Sequence, residues 1–230
     1  MLKLAILISG RGSNMLNLIT EIKKQALECK IVCVIANKQA KGLELAKACG
    51  VDTKLIERTI YNSTAEHELA ILKELNNHKP DWIFLAGYMA ILSAEFVNKY
   101  YGKIINIHPS LLPKFKGLNT HRRAIESGEL LHGVTIHIVT NELDGGPIIA
   151  QSELTIMPED TPETLEDRVL KEEHVLYPLV LSSLVKKQLQ IKDSRVTWHR
   201  IPSRYDVHFA QKNTSTELVS NSILKLKNLH

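Results

Sequence analysis

The chain is predicted to adopt an α/β fold, a mostly parallel sheet with helices on both faces, and three observations point there. Short β-branched or leucine-rich runs alternate with helical patterns through the first half, the mark of parallel strands joined by crossover helices. A glycine-rich turn, Ser9-Gly10-Arg11-Gly12-Ser13-Asn14, separates the first apolar run from the first helical pattern. At 230 residues, 44% hydrophobic and 23% charged, the chain is also long enough to bury a full core without disulfide or metal staples.

The elements follow in order. Strands are expected at Lys3 to Ile8, Ile31 to Ala36, Thr53 to Glu57, Trp82 to Leu85 and Lys103 to Ile107. Helices are expected between them at Asn14 to Gln25, Gly42 to Cys49, Ser63 to Asn77 and Ser93 to Tyr100. Ser63-Thr64-Ala65-Glu66 has the form of a capping box, in which serine and glutamate satisfy backbone N–H groups that the first turn leaves unpaired. Ser93 is a second good N-cap. A proline- and lysine-rich loop then leads to a helix at Thr120 to Ser127 and to strands at Gly133 to Val139 and Pro147 to Ile156. Thr161-Pro162 opens a long helix whose apolar positions Leu165, Val169, Leu176, Leu179 and Leu184 keep helical spacing. Pro178 is expected to bend or break it. The organisation expected is a catalytic domain over residues 1–206 and a polar, loosely attached tail over 207–230, from Val207 onward.

Composition narrows the function classes. The net charge of +4 is scattered, aromatic residues make up only 5%, and the chain shows no nucleic-acid module, so neither a nucleic-acid nor a membrane partner is expected. A phosphorylated small molecule suits the mild positive charge better. Cys29, Cys33 and Cys49 are odd in number and lack metal-ligand spacing, so no disulfide framework and no metal site are expected. The N-terminus lacks the form of a secretory signal, and the longest uncharged apolar stretch, Trp82 to Leu92, is too short for a bilayer; the expected location is cytoplasmic.

Three segments carry chemistry. In Ile104-Ile105-Asn106-Ile107-His108-Pro109, strand alternation puts Asn106 and His108 on one face and leaves Ile105 and Ile107 on the other. Pro109 holds His108 extended as the strand stops. An amide donor beside an imidazole that moves protons near neutral pH suits a tetrahedral intermediate, and so acyl transfer. The glycine turn offers an anion site at a helix N-terminus. A dinucleotide is disfavoured there, because Met15 stands where a third glycine belongs and Asn37-Lys38 stands where a ribose-binding acid belongs. Finally, Asp144 precedes Gly145-Gly146-Pro147, a turn that folds the loop sharply; if Asp144 reaches His108, its charge raises the histidine pKa and makes it a useful acid. Ser110 lacks a nucleophile elbow, and His121, His132, His137 and His174 read as structural or surface residues.

Taken together, these segments resemble a known family. The stretches are SGRGSN from Ser9, ANK from Ala36 with KGL from Lys41, LAGYMAILS from Leu85, INIHPSLLPKFKGLNTHRRAIESG from Ile105, ELDGGPI from Glu142 and EHVLYPLV from Glu173. Over residues 2–189 the chain resembles the phosphoribosylglycinamide formyltransferases, within the folate-dependent formyltransferase family. The resemblance implies a Rossmann-like sheet of the formyltransferase fold. It also implies transfer of a formyl group from 10-formyltetrahydrofolate, as co-substrate, to the glycyl amine of glycinamide ribonucleotide in purine biosynthesis, by a monomer or homodimer. The family's essential residues fall on Asn106, His108 and Asp144. Its ribonucleotide site falls on Gly12, Ser13, Asn14 and Glu173. Its folate pocket falls on Met89, Ala90, Ile91 and Leu92, on Val97, Ile104, Asn106 and Val139, and on Thr140, Asn141, Leu143 and Asp144.

Two departures stand out. Thr64 and Ala90 replace arginines frequent in the family near the folate's glutamyl end, and Leu170 replaces a Gln or Lys, which leaves the neighbouring Lys171 as the candidate phosphate partner. Rival readings are a formyl-folate hydrolase, which the family picture equips with an N-terminal regulatory domain, and methionyl-tRNA formyltransferase, which appends a C-terminal domain. A strand beginning at Lys3 and a short segment after Leu189 leave no expected room for either. A non-enzymatic phosphate-ligand sensor would need only the glycine turn.

Overall fold

The computed structural model describes residues 1–201 in full and the backbone of 207–209. The chain divides into two compact units. The first comprises Met1–Asn106 with Val139–Asn141; the second comprises Ile107–Ile138 and the residues from Glu142 onward.

The first unit alternates strand and helix as its sequence predicts. Its strands are β1 (Leu2–Ile8), β2 (Cys29–Ala36), β3 (Thr53–Leu55), β4 (Trp82–Leu85) and β5 (Ile104–His108), the last running on into the second unit. They lie in the order β3-β2-β1-β4-β5, all parallel: Ile6 pairs with Val34 on one side and Phe84 on the other, and Phe84 pairs with Ile105. The helices are α1 (Ser13–Lys24), α2 (Lys41–Ala48), α3 (Thr64–His78) and α4 (Ala94–Lys99). Alternation sends Ala5, Leu7, Cys33, Ile35, Ile83 and Leu85 to one face, where they pack with Ile71, Leu72 and Leu75 of α3 and Phe96 and Val97 of α4. On the other face Ile8 reaches α2, whose Gly42 would drive a Cβ to 2.6 Å from the Ile8 Cδ1. Each fully buried Leu, Ile or Phe side chain contributes about 1.5–3 kcal/mol.

The helix starts obey their caps. Ser63 Oγ accepts the Glu66 N–H at 3.1 Å, whereas the Glu66 carboxylate takes the N–H of Asn62 at 3.1 Å, one residue before the cap of the expected box. Ser93 caps α4 through the Phe96 N–H at 3.2 Å. The α3 helix ends at His78 and is capped by Lys79, in the left-handed region at φ 50°, where Pro80 bars continuation.

The second unit is antiparallel. Its β6 (Leu131–Ile138) pairs with β7 (Ile148–Thr155), and β7 pairs with β10 (Val207–Phe209). Its helices are α5 (Thr120–Glu126) and α6 (Pro162–Val185), the latter packing on β6, β7 and α5. Of the two outcomes expected, Pro178 does not break α6, which continues for seven residues to Val185. Pro178 is buried among Leu176, Tyr177, Val180 and Leu181, and burial of that apolar stretch outweighs the one hydrogen bond the ring removes. A hairpin of β8 (Leu189–Lys192) and β9 (Arg195–Trp198) follows, unanticipated from sequence. The loose tail expected from Val207 meets β10 at its first three residues, and 210–230 lie outside the described residues.

Candidate active site

In the first unit, the glycine turn runs from the end of β1 into α1. Gly12, the N-cap, sits at φ 77° and ψ 24°, and no side chain caps the helix, so its first N–H groups are presented by backbone alone. Gly10 and Arg11 are exposed, Ser13 is half-buried, and Gly12 and Asn14 are buried. Packing also explains Gly12: a Cβ there would lie 2.8 Å from the Gly42 Cα, and the Gly42 N–H donates to the Gly10 carbonyl at 3.1 Å. Gly42, left unassigned by sequence reasoning, is therefore the partner that seats α2 against the turn.

The segment after β4 holds Met89, Ala90, Ile91 and Leu92, the first of the residues expected at a folate. Met89 and Ile91 are 65% and 72% exposed, while Leu92 is buried with Val97 and Ile104 in one apolar cluster on which Val139 packs. The structure thus gathers four of the expected folate-pocket residues into the core of this unit. Ala90 and Thr140 are half-buried and Asn141 is exposed. Asn106, half-buried, ends the first of the two stretches that make up the first unit, two positions before His108 on β5.

The second unit supplies the charged cluster. His108 is 5% exposed, with Nδ1 3.5 Å from Asp144 Oδ2 and Nε2–H donating to the Phe115 carbonyl at 3.0 Å. Asp144 lies in the turn opened by Glu142, whose carbonyl accepts the Gly145 N–H at 3.2 Å, and Asp144 itself takes the left-handed conformation at φ 46°. Its Oδ2 accepts the Gly117 N–H at 2.8 Å, and its Oδ1 lies 3.6 Å from His137 Nε2. Leu143 beside it is 47% exposed. Lys116 bonds Glu142 at 2.6 Å, joining the loop after β5 to the Asp144 turn.

These surroundings set the charges. Burial works against ionisation of Asp144, but His137, the Gly117 N–H and His108 together outweigh it and hold the carboxyl below its ordinary range. For His108, burial pushes the pKa down, and the Phe115 carbonyl and Asp144 offset this only in part. Asp144 does pull the His108 pKa up, as expected, but desolvation of the imidazolium exceeds the pull of one carboxylate at 3.5 Å and the net shift is downward. The pair is unequal: the carboxylate is firmly charged, the imidazole leans neutral.

His137, set aside by sequence reasoning, belongs to this cluster. It is 2% exposed on β6, and its Nδ1–H donates to the Ile138 carbonyl at 3.0 Å, which turns Nε2 towards Asp144. Ser110 is structural, as expected: its hydroxyl donates to the Lys114 carbonyl at 2.7 Å, and its own carbonyl accepts from Thr135 at 2.6 Å. Along α6, Lys171 is exposed and Glu173 is 8% exposed, so the two do not share a face.

The Formyl transferase family profile matches residues 2–181. The phosphoribosylglycinamide formyltransferase of Haemophilus influenzae is 43% identical over 195 residues, covering 84% of this chain and 92% of that protein. The Escherichia coli protein of the same name is 39% identical over 194 residues, with the same coverage. The chain belongs to the phosphoribosylglycinamide formyltransferase family. A solved phosphoribosylglycinamide formyltransferase from Coxiella burnetii superimposes with a TM-score of 0.81 at 43% identity, covering 86% of this chain and 93% of that one. Like other phosphoribosylglycinamide formyltransferases, this chain is a transferase of purine biosynthesis with the formyltransferase fold. Among the described residues no helix is long and apolar enough to cross a membrane.

Proposed function

We propose that the chain transfers the formyl group of 10-formyltetrahydrofolate to the glycyl amine of glycinamide ribonucleotide, with Asn106, His108 and Asp144 as the reacting set. The amine attacks the formyl carbon, a C–N bond forms, and negative charge collects on the formyl oxygen. Asn106 and His108 donate hydrogen bonds to that oxygen, and a water relays the amine proton to the folate nitrogen as its bond to carbon breaks. The developing oxyanion adds to the pull of Asp144 and offsets the burial that disfavours the imidazolium, so Asp144 and the intermediate together keep His108 protonated while it donates to the formyl oxygen. The Phe115 carbonyl accepts the Nε2–H of His108 and has to yield that bond to the formyl oxygen if Nε2–H is the donor.

The ribonucleotide is assigned to Gly12, Ser13 and Asn14 with Glu173, Lys171 being the outer phosphate partner. The pterin is assigned to the backbone of Met89–Leu92 and to the loop Thr140–Asp144. Residues 1–206 carry the whole set, and 207–230 form the tail; the location assigned is the cytoplasm. The observation that carries this reading is the Asp144 carboxylate, anchored by Gly117 and set between His108 and His137, in a chain of this family.

The test is to supply formyl-folate to the purified protein with and without glycinamide ribonucleotide. Amine-dependent transfer is expected, falling about 100- to 1000-fold in Asp144→Asn and in His108→Ala while ribonucleotide affinity stays within about twofold. Wild-type turnover in either variant, or formate release that ignores the amine, overturns the assignment.

A further inference from the structure

One buried hydroxyl in the first unit joins three of the loops that follow its strands. Ser9, the residue after β1, is 2% exposed. Its Oγ–H donates to Asn37 Oδ1, just past β2, at 2.7 Å, and its Oγ accepts the Met89 N–H, past β4, at 2.7 Å. Its own N–H donates to the Gly87 carbonyl at 3.1 Å. The far end of the same segment is pinned as firmly: the buried carboxylate of Glu68, on α3, accepts both the N–H of Ser93, at 2.8 Å, and the Ser93 hydroxyl. Between the two anchors, Met89 and Ile91 point to solvent and Leu92 points to the core. A backbone stretched between two hydrogen-bonded ends, with its large side chains outside, is pre-shaped for backbone recognition of a ligand.

We propose that Ser9 is a positioning residue for the formyl donor: its hydroxyl fixes the Met89 amide and with it the backbone on which the pterin docks, although Ser9 begins the turn assigned to the ribonucleotide. This deepens the function proposed above and rests on it. The hydroxyl is irreplaceable at both of its bonds. Without it the half-buried Met89 N–H and the buried Asn37 side chain each lose a partner, and the segment can relax at the Met89 end only, because Glu68 still holds Ser93.

The test separates donor from acceptor. In Ser9→Ala, the KM for 10-formyltetrahydrofolate is expected to rise about tenfold, while the KM for glycinamide ribonucleotide changes less than about twofold. Amide hydrogen exchange at Met89 is expected to lose its protection. Ser9→Thr, which keeps the hydroxyl, is expected to restore most of the donor affinity. If Ser9→Ala does not fold, Ser9→Cys, close in size with a weaker donor and acceptor, is expected to show the same one-sided rise at smaller amplitude. Equal rises for both substrates, or an unchanged donor KM with Met89 exchanging freely, overturn the proposal. Wild-type protein that shows no amine-dependent transfer defeats the underlying function instead, a result the variants cannot mimic.

Discussion

At Asp144 a single side chain meets the Gly117 amide and two imidazoles, and its own backbone holds φ at 46°. Asparagine and aspartate tolerate that region better than other non-glycine residues, so the turn suits an aspartate there. The meeting of His108 with Asp144, 3.5 Å apart, was legible because each residue type is uncommon in its local pattern. His137 was not, because seven positions and a turn separate it from Asp144 and nothing in that spacing marks a contact. A second buried histidine leads to a stability prediction. His132, wholly buried with its Nε2 3.1 Å from His121 Nδ1, is pushed by burial and by neighbouring histidines from 6.5 to about 4. A histidine whose folded pKa is depressed contributes its stability above the unfolded value, here about 6.5, and loses it as pH falls through the folded value, about 4. Acidification from pH 7 to pH 4 is expected to cost about 3 kcal/mol through this group. Urea melts at the two pH values should show a smaller loss in His132→Gln.

Among the elements, the caps and hydrophobic periods of the first unit placed its helix boundaries within one or two residues, because local signals and burial agree there. The hairpin β8–β9 escaped notice for a definable reason. Its two-residue turn, Asp193-Ser194, has both residues at positive φ, 50° and 58°, a geometry whose usual sign is Asn-Gly. Ser194 fits poorly, and its hydroxyl is buried with no hydrogen-bond partner among the described residues. Ser194→Gly removes both costs and is expected to stabilise the protein by about 1 kcal/mol, read as a rise in the urea midpoint. Gly42 predicts the opposite sign. An alanine Cβ there would stand 2.6 Å from Ile8 Cδ1 and 3.1 Å from both the Gly10 carbonyl and the Gly12 Cα, so α2 must back away from the glycine turn. Gly42→Ala is expected to lose about 1–3 kcal/mol and to weaken ribonucleotide binding with it, measurable by titration.

For the whole molecule, sequence reasoning reached the parallel α/β half more completely than the antiparallel half. Parallel strands buried on both faces read as continuous apolar runs, as in Leu4 to Ile8 and Ile31 to Ala36. The second unit depends on a proline that stays inside α6 and on a hairpin whose anchor is distant: Trp198 Nε1–H donates to the Ile149 carbonyl at 3.1 Å, 49 residues away in sequence. No local window contains that information. The charge state of His108 was beyond reach for a related reason, since burial is a property of the assembled fold and decided the direction against the neighbouring carboxylate.

The anchoring of Trp198 has a practical corollary. The chain holds two tryptophans. Trp82 lies in β4 of the first unit and Trp198, 3% exposed, closes the hairpin of the second. Each unit therefore contains its own fluorophore, and replacing Trp82 with phenylalanine leaves a lone emitter whose spectrum reports when the indole at the hairpin's end parts from β7.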